Sequence, residues 1–166
     1  MDTTLIAKVL PTKKDGKRSI GTGYPVAKNR IITARHVVVF DERNCRIPIT
    51  VEWPDHDHQC LEAKVIYDGW DHQERCDIVV LECVTPPQSH VCPLVLSNRS
   101  PQAHETWESF GYTRIGRNED ANGIRNKVSA LGKFHPPEQA SHEISLTSES
   151  DAVEKAGWRG ISGAPV

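Results

Sequence analysis

What most restricts the fold of this chain is a rhythm in the sequence. Short runs rich in Val, Ile, Thr and Tyr recur about every dozen residues and are broken by clusters of Gly, Pro, Asn and Asp. In the first half the runs are Thr3 to Leu10, Arg18 to Ala27, Arg30 to Thr33, Arg46 to Trp53, Cys60 to Tyr67 and Asp77 to Cys83. Apolar and polar residues alternate within them, as strands with one buried face require. No heptad, internal repeat or long amphipathic helix competes with this pattern, so the expectation is an all-β barrel or sandwich, with six strands forming one small barrel. Lys28-Asn29 predicts a tight turn, and Ala34-Arg35-His36-Val37-Val38 a strand end running into a helical turn, which presents His36 at a strand's edge.

The segment Val84 to Glu105 carries Pro86, Pro87, Pro93 and Pro101 among Ser, Gln and Asn. Proline removes donors and fixes φ, so this stretch predicts an extended connector. Strand-like runs resume at Glu105 to Tyr112, Gly123 to Phe134 and His142 to Ser148, with a polar loop from Thr113 to Asn122. The organisation expected is an N-terminal barrel over 1–90, a connector over 91–104 and an unfinished C-terminal barrel over 105–166.

Composition narrows the partners. With 166 residues, 37% of them hydrophobic, the chain can bury a real core, and extended disorder is not expected. Lys and Arg together number 20 against 22 Asp and Glu, so no basic surplus draws in nucleic acid. The N-terminal stretch has an acid at Asp2 and no apolar run of signal-peptide or membrane-span length, so no membrane association and a cytoplasmic location are expected. Five cysteines, at Cys45, Cys60, Cys76, Cys83 and Cys92, form an odd set without framework spacing. Reduced, structurally buried thiols are the simplest reading.

The chemistry gathers around three residues. Near the end, Gly160-Ile161-Ser162-Gly163 holds a serine between residues without side chains, where the backbone turns sharply and a substrate can come close. The amides of Gly160 and Ser162 are then free to point at one developing oxyanion. Alone, a glycine-flanked serine is more often an ordinary turn. Serine also needs a base, and a neutral imidazole suits that task near pH 7. His36 is the candidate base. Asp77, leading into Ile78-Val79-Val80-Leu81 at the start of a buried strand, is the candidate buried carboxylate that orients it.

With these residues placed, the chain resembles the trypsin-like (chymotrypsin-fold) serine peptidases over nearly its whole length. Three segments carry the resemblance: Gly21 to Ala27 followed by Ile31 to Val38 around His36, Asp77 to Glu82, and Gly160 to Val166. The resemblance implies a chymotrypsin-like double β-barrel with the second barrel incomplete at the C-terminus, and a triad of His36, Asp77 and Ser162 in the cleft between barrels. It implies Gly160 and Ser162 as the oxyanion hole, a protein or peptide substrate and no cofactor. Ala164 in place of a second glycine is closer to bacterial and intracellular members. In this setting Gly21-Thr22-Gly23 is a strand glycine pair near the barrel seam, not a phosphate loop.

The departures from the family pattern are equally specific. Val37 stands where secreted relatives carry a disulfide-bonded cysteine, and Ile161 where trypsin has the aspartate that a new N-terminus pairs with on activation. Ala156 occupies the place of the acid that selects Lys and Arg, so trypsin's specificity is not implied; Glu154 or a residue past the end remains a source of charge. Ala156 and Trp158 are the candidate substrate-binding residues. Val166 lies four residues past Ser162, so the expectation is a longer polypeptide whose further domains or subunits regulate this one, by analogy an N-terminal effector in antiviral defence. Mobility of the loop 150–160 is the expected switch. The competing reading is a regulatory or peptide-binding module of the same fold that lacks turnover until assembled.

Other polar residues carry less. His56, His58 and Cys60 would share one face if extended and could seat zinc with Cys45 or Cys76, but no second paired cluster stands at a standard spacing, so no metal is expected. His72, His90, His104, His135 and His142 read as loop residues, and the tryptophans as core or cleft anchors.

Overall fold

The computed structural model describes residues 2–12, 20–38, 48–70, 76–85, 102, 104–112, 127–134 and 146–148. Six strands close a barrel: β1 (Ala7–Pro11), β2 (Gly21–Ala27), β3 (Arg30–Thr33), β4 (Ile49–Trp53), β5 (Gln59–Asp68) and β6 (Val79–Glu82). Around the barrel the order is β1-β2-β3-β6-β5-β4, every neighbour antiparallel. A single short helix, α1 (Arg35–Val38), follows β3 among the described residues. A separate sheet joins β7 (Thr106–Tyr112), β8 (Lys127–Phe134) and β9 (Leu146–Ser148) in that order. No helix of the described residues is long and apolar enough to cross a membrane.

Alternation explains the barrel interior. Ile49, Val51 and Trp53 of β4 point inward while Thr50 and Glu52 stay half-exposed, and Val79 and Leu81 do the same on β6. With Val9, Ile31 and Val37 they form one continuous apolar cluster. β1 breaks the rule, being buried on both faces. Its outer face is covered by the second sheet: the Lys8 ammonium sits 5.1 Å from the centre of the Tyr112 ring, and Leu5, Ile6, Tyr24 and Tyr112 form a second cluster. Polar contacts fix that docking. The Tyr112 amide donates to Thr22 Oγ1 at 3.1 Å, its hydroxyl to the Ile6 carbonyl at 3.2 Å, and Lys127 Nζ to the Thr3 carbonyl at 2.7 Å.

Local chemistry sets the turns. Asn29 takes φ 58 in the turn between β2 and β3, the left-handed region that asparagine tolerates, and its side-chain oxygen accepts from the Thr85 amide at 3.2 Å. Pro25 stands at the bulge of β2, where the ladder asks less of its missing N–H. One expected strand residue set differs: Thr3–Leu5 is a 3-10 turn, because Asp2 caps it through bonds from the Thr4 amide at 3.0 Å and hydroxyl at 2.7 Å. The same bonds, the hydroxyl's foremost, hold the Asp2 carboxyl below its ordinary range.

Candidate active site

The site begins where β3 leaves the barrel. Its last residue, Thr33, is buried and anchored by a 2.7 Å bond from its hydroxyl to the Thr22 carbonyl. α1 starts two residues later, and Val37 turns down into the barrel while His36 turns out. Gly21 makes that possible: a Cβ there would overlap Val37 Cγ1 and stand 2.5 Å from Cγ2. The glycine pair of β2 is therefore the socket for the helical turn that carries His36, with Gly23 packed in the same way against Ile31 and Val9.

Asp77 meets His36 from the bend before β6. Its Oδ2 lies 2.5 Å from His36 Nδ1, and its Oδ1 accepts from the His36 backbone amide at 2.9 Å. One carboxylate thus grips both the ring and the main chain of the same histidine, and the Asp77 carbonyl accepts from the Arg35 amide at 3.2 Å. With Asp77 ionised, Nδ1 carries the ring proton and Nε2 is left as the acceptor. The side chains are 59% and 54% exposed. A pair this open contributes at most about 1 kcal/mol to stability, so its consequence is orientation.

This corrects one expectation. Asp77 is neither buried nor in the strand, for β6 pairing begins only at Val79 while the Ile78 carbonyl accepts from the Gly69 amide at 2.9 Å. Hydrogen bonds, not burial, hold the carboxylate. Ser162, Gly160, Ala156 and Trp158 lie outside the described residues, as do Cys45, Cys92, His72, His90, His135 and His142.

The His56-x-His58-x-Cys60 stretch is not extended. It makes the turn between β4 and β5, with Asp57 and His58 at φ 54 and 52, and His58 Nδ1 is 2.9 Å from Glu52 Oε1. Among the described residues no group of three or more His, Cys, Asp or Glu side chains is arranged to hold a metal ion. His104 is exposed in the turn before β7. Of the cysteines, Cys83 is buried, Cys76 half-buried and Cys60 exposed, all as free thiols; the exposure of Cys60 departs from the burial expected. Trp53 is a core residue, whereas Trp70 is 42% exposed and lies against Arg35 with 5.1 Å between guanidinium and ring centre.

Residues around this pair to which the sequence reading gave no role are Arg35, Asp68 and Gly69; Trp70, read with the other tryptophans as a core or cleft anchor, lies beside them. Arg35 Nε is 2.6 Å from Asp68 Oδ1, which also accepts from the Trp70 amide at 3.0 Å. The available hint was the Asp68-Gly69 pair, a turn signal, nine residues before the Asp77-Ile78 step.

Comparison with known proteins agrees with this architecture. The Rv3671c protease of M. tuberculosis in its active form superposes with a TM-score of 0.60 at 19% identity, over 98% of this chain and 64% of that one. The thermostable serine protease AL20 from an extremophilic microorganism gives 0.64 at 16%, over 99% and 78%. A structure named GrC gives 0.69 at 18%, over 99% and 78%. At such identities the likeness speaks for the fold, which is chymotrypsin-like and mostly β. A search of curated protein sequences finds no match. The sequence model of the trypsin-like peptidase domain matches residues 21–166, from the glycine socket of β2 through the glycine-flanked serine, and the chain belongs to that family.

Proposed function

We propose that this chain is a serine endopeptidase that hydrolyses peptide bonds through His36, Asp77 and Ser162. The observation that carries the reading is the double grip of Asp77 on His36, at 2.5 Å to the ring and 2.9 Å to the backbone amide. A histidine so held offers Nε2 to a hydroxyl in one tautomer and one orientation. In the reaction His36 takes the Ser162 proton as Oγ adds to the scissile carbonyl, and the amides of Gly160 and Ser162 receive the negative oxygen. His36 then gives its proton to the leaving amine. Water, deprotonated by the same ring, frees the acyl group and restores Ser162.

Specificity in this reading falls to Ala156 and Trp158, a small neutral residue and an aromatic wall. Control falls to the segment 150–160, which must place the Gly160 amide before an oxyanion can be held, and which a partner domain or subunit orders. The free thiols of Cys60, Cys76 and Cys83, among the described residues, accord with a reducing, cytoplasmic setting. A role as the effector of a larger defence protein rests on analogy with intracellular bacterial chains.

The test is direct. Ser162→Ala should lower cleavage of a peptide substrate by roughly a million-fold and abolish labelling by a fluorophosphonate probe without unfolding the chain. Asp77→Asn should keep the bond from the His36 amide, because Asn retains one acceptor oxygen. Its NH2 group would face Nδ1 and force the wrong tautomer, for a loss on the order of ten-thousand-fold in kcat. Cleavage that survives Ser162→Ala would sink the mechanism.

A further inference from the structure

We propose that Arg35 and Asp68, with Trp70 and Gly69, form a clamp that positions the His36–Asp77 pair; the inference rests on the serine-peptidase reading for its kinetic consequence, though not for its geometry. The clamp is created by a break in strand alternation. Along β5, Leu61, Ala63 and Val65 face the barrel, and Val65 stands opposite the buried Leu81. A bulge then falls between Val65 and Tyr67, so that Tyr67 pairs with Val80 and Asp68 with Val79. One extra residue flips the parity. Without it Tyr67 would point inward and Asp68 out to solvent; with it Asp68 turns into the end of the barrel, where its side chain is 4% exposed.

A carboxylate buried there needs a cation, and the partner is the residue immediately before His36. Arg35 Nε reaches Asp68 Oδ1 at 2.6 Å with its own side chain 12% exposed. Its guanidinium lies against the Trp70 ring, and the Trp70 amide donates to the same carboxylate oxygen. Neighbouring side chains on a helical turn project about 100° apart, so pinning Arg35 inward fixes the rotation at which His36 leaves the backbone. The other half of the pair is tied to the same corner. The Gly69 amide donates to the Ile78 carbonyl at 2.9 Å, and a Cβ on Gly69 would meet the Cys76 carbonyl oxygen at 2.9 Å, so only glycine lets the 76–78 backbone come this close.

Residues 34–36 and 76–78, far apart in the chain, are thus registered to one reference, the corner at 68–70. The exposed His36–Asp77 side-chain bond does not enforce that registry alone; it acts with the bonds from the His36 and Arg35 amides to Asp77 and with the buried, charge-assisted pair, which water weakens least. Arg35 and Asp68 are positioning residues: they touch neither the ring nor the carboxylate, and they set the distance between them. A misplacement of about 1 Å at a reacting group is enough to cost about 100-fold.

The experiment uses the full chain with Arg35→Met, Arg35→Lys and Asp68→Asn, read in two ways. The first is kcat and KM on a peptide substrate. The second, which needs no turnover, is the downfield proton resonance of His36 Nδ1–H in hydrogen bond to Asp77. Arg35→Met should lower kcat by about 100-fold with KM changed less than about threefold, and should broaden or abolish the resonance. Arg35→Lys, which keeps a charge for Asp68, should recover part of both. Asp68→Asn preserves shape and both acceptor contacts but weakens the pair, so it decides the matter should Arg35→Met fail to fold, and it should show the same changes in smaller measure.

A folded variant of either position with wild-type kcat and an unchanged His36 resonance overturns the clamp. If the wild-type chain neither turns over nor takes a fluorophosphonate, the peptidase reading fails, and the resonance still decides the clamp by itself.

Discussion

Replacing Gly21 with Ala probes whether the His36 turn is seated by a socket. The added methyl would overlap Val37 Cγ1 and lie 2.5 Å from Cγ2, well inside van der Waals contact, and Val37 is only 5% exposed, so it has nowhere to retreat. Overpacking of this kind costs about 1–3 kcal/mol. Val37→Ala alone removes two buried methyl-sized groups at about 0.8 kcal/mol each plus a cavity term, about 2 kcal/mol in all. If the two sites were independent, the double variant would lose about 3–5 kcal/mol. They are not, because Val37→Ala deletes both atoms that clash and leaves Cβ at 3.0 Å as the nearest neighbour. The double variant should therefore lose only about 1–2 kcal/mol, a coupling of about 1–4 kcal/mol by the same cycle. Urea unfolding of the wild type and the three variants measures it. Gly21→Ala should also depress peptidase turnover more than its stability loss explains, since α1 carries His36, the proposed base. A neutral Gly21→Ala, or strict additivity, would refute the socket.

Two further outcomes follow from buried polar groups. Lys8 and Glu52 pair at 3.3 Å with side chains 3% and 14% exposed; Glu52→Ala strands a buried ammonium and should cost about 3–5 kcal/mol in urea unfolding, whereas Lys8→Met, which leaves Glu52 bonded to His58, should cost clearly less. Burial pushes the Cys83 thiol from 9.0 up to about 11, and burial with Asp55 and Glu52 likewise raises Tyr112. A thiol that ionises later when folded stabilises fully below pH 9.0, and that contribution drains away as pH rises toward about 11. Denaturation midpoints should therefore fall over that interval and fall less steeply in Cys83→Ala.

How much of this was legible beforehand depends on which interaction decides each feature. β4 and β6 follow from alternation because one face of each packs on a single core, so period and burial agree. The helical turn at His36 and the tight turn at Asn29 are local and were readable in the same way. Residue chemistry made Asp77 a candidate partner for His36, and the family resemblance singled the pair out, since nothing in either segment encodes the other. The parity flip at Ile66 was not legible: Tyr67-Asp68 continues a plausible alternation, and only the partner strand's register places the extra residue. The exposure of Asp77 was missed for a related reason. Ile78-Val79-Val80-Leu81 looks like one continuous buried strand, yet Ile78 is 41% exposed because its carbonyl is taken by the Gly69 corner before pairing begins.

The closed barrel also has a consequence in time. All six of its strands, both residues of the His36–Asp77 pair and the whole corner at 68–70 lie within the first 82 residues. A chain emerging N-terminus first can complete this half before the rest is made. At about 5–20 residues per second, the interval from Glu82 to Ser162 is on the order of 4–16 s. During it the nascent chain can hold His36 oriented by Asp77. On the serine-peptidase reading, a ribosome carrying this protein displays the proposed base before the proposed nucleophile, Ser162, has been translated.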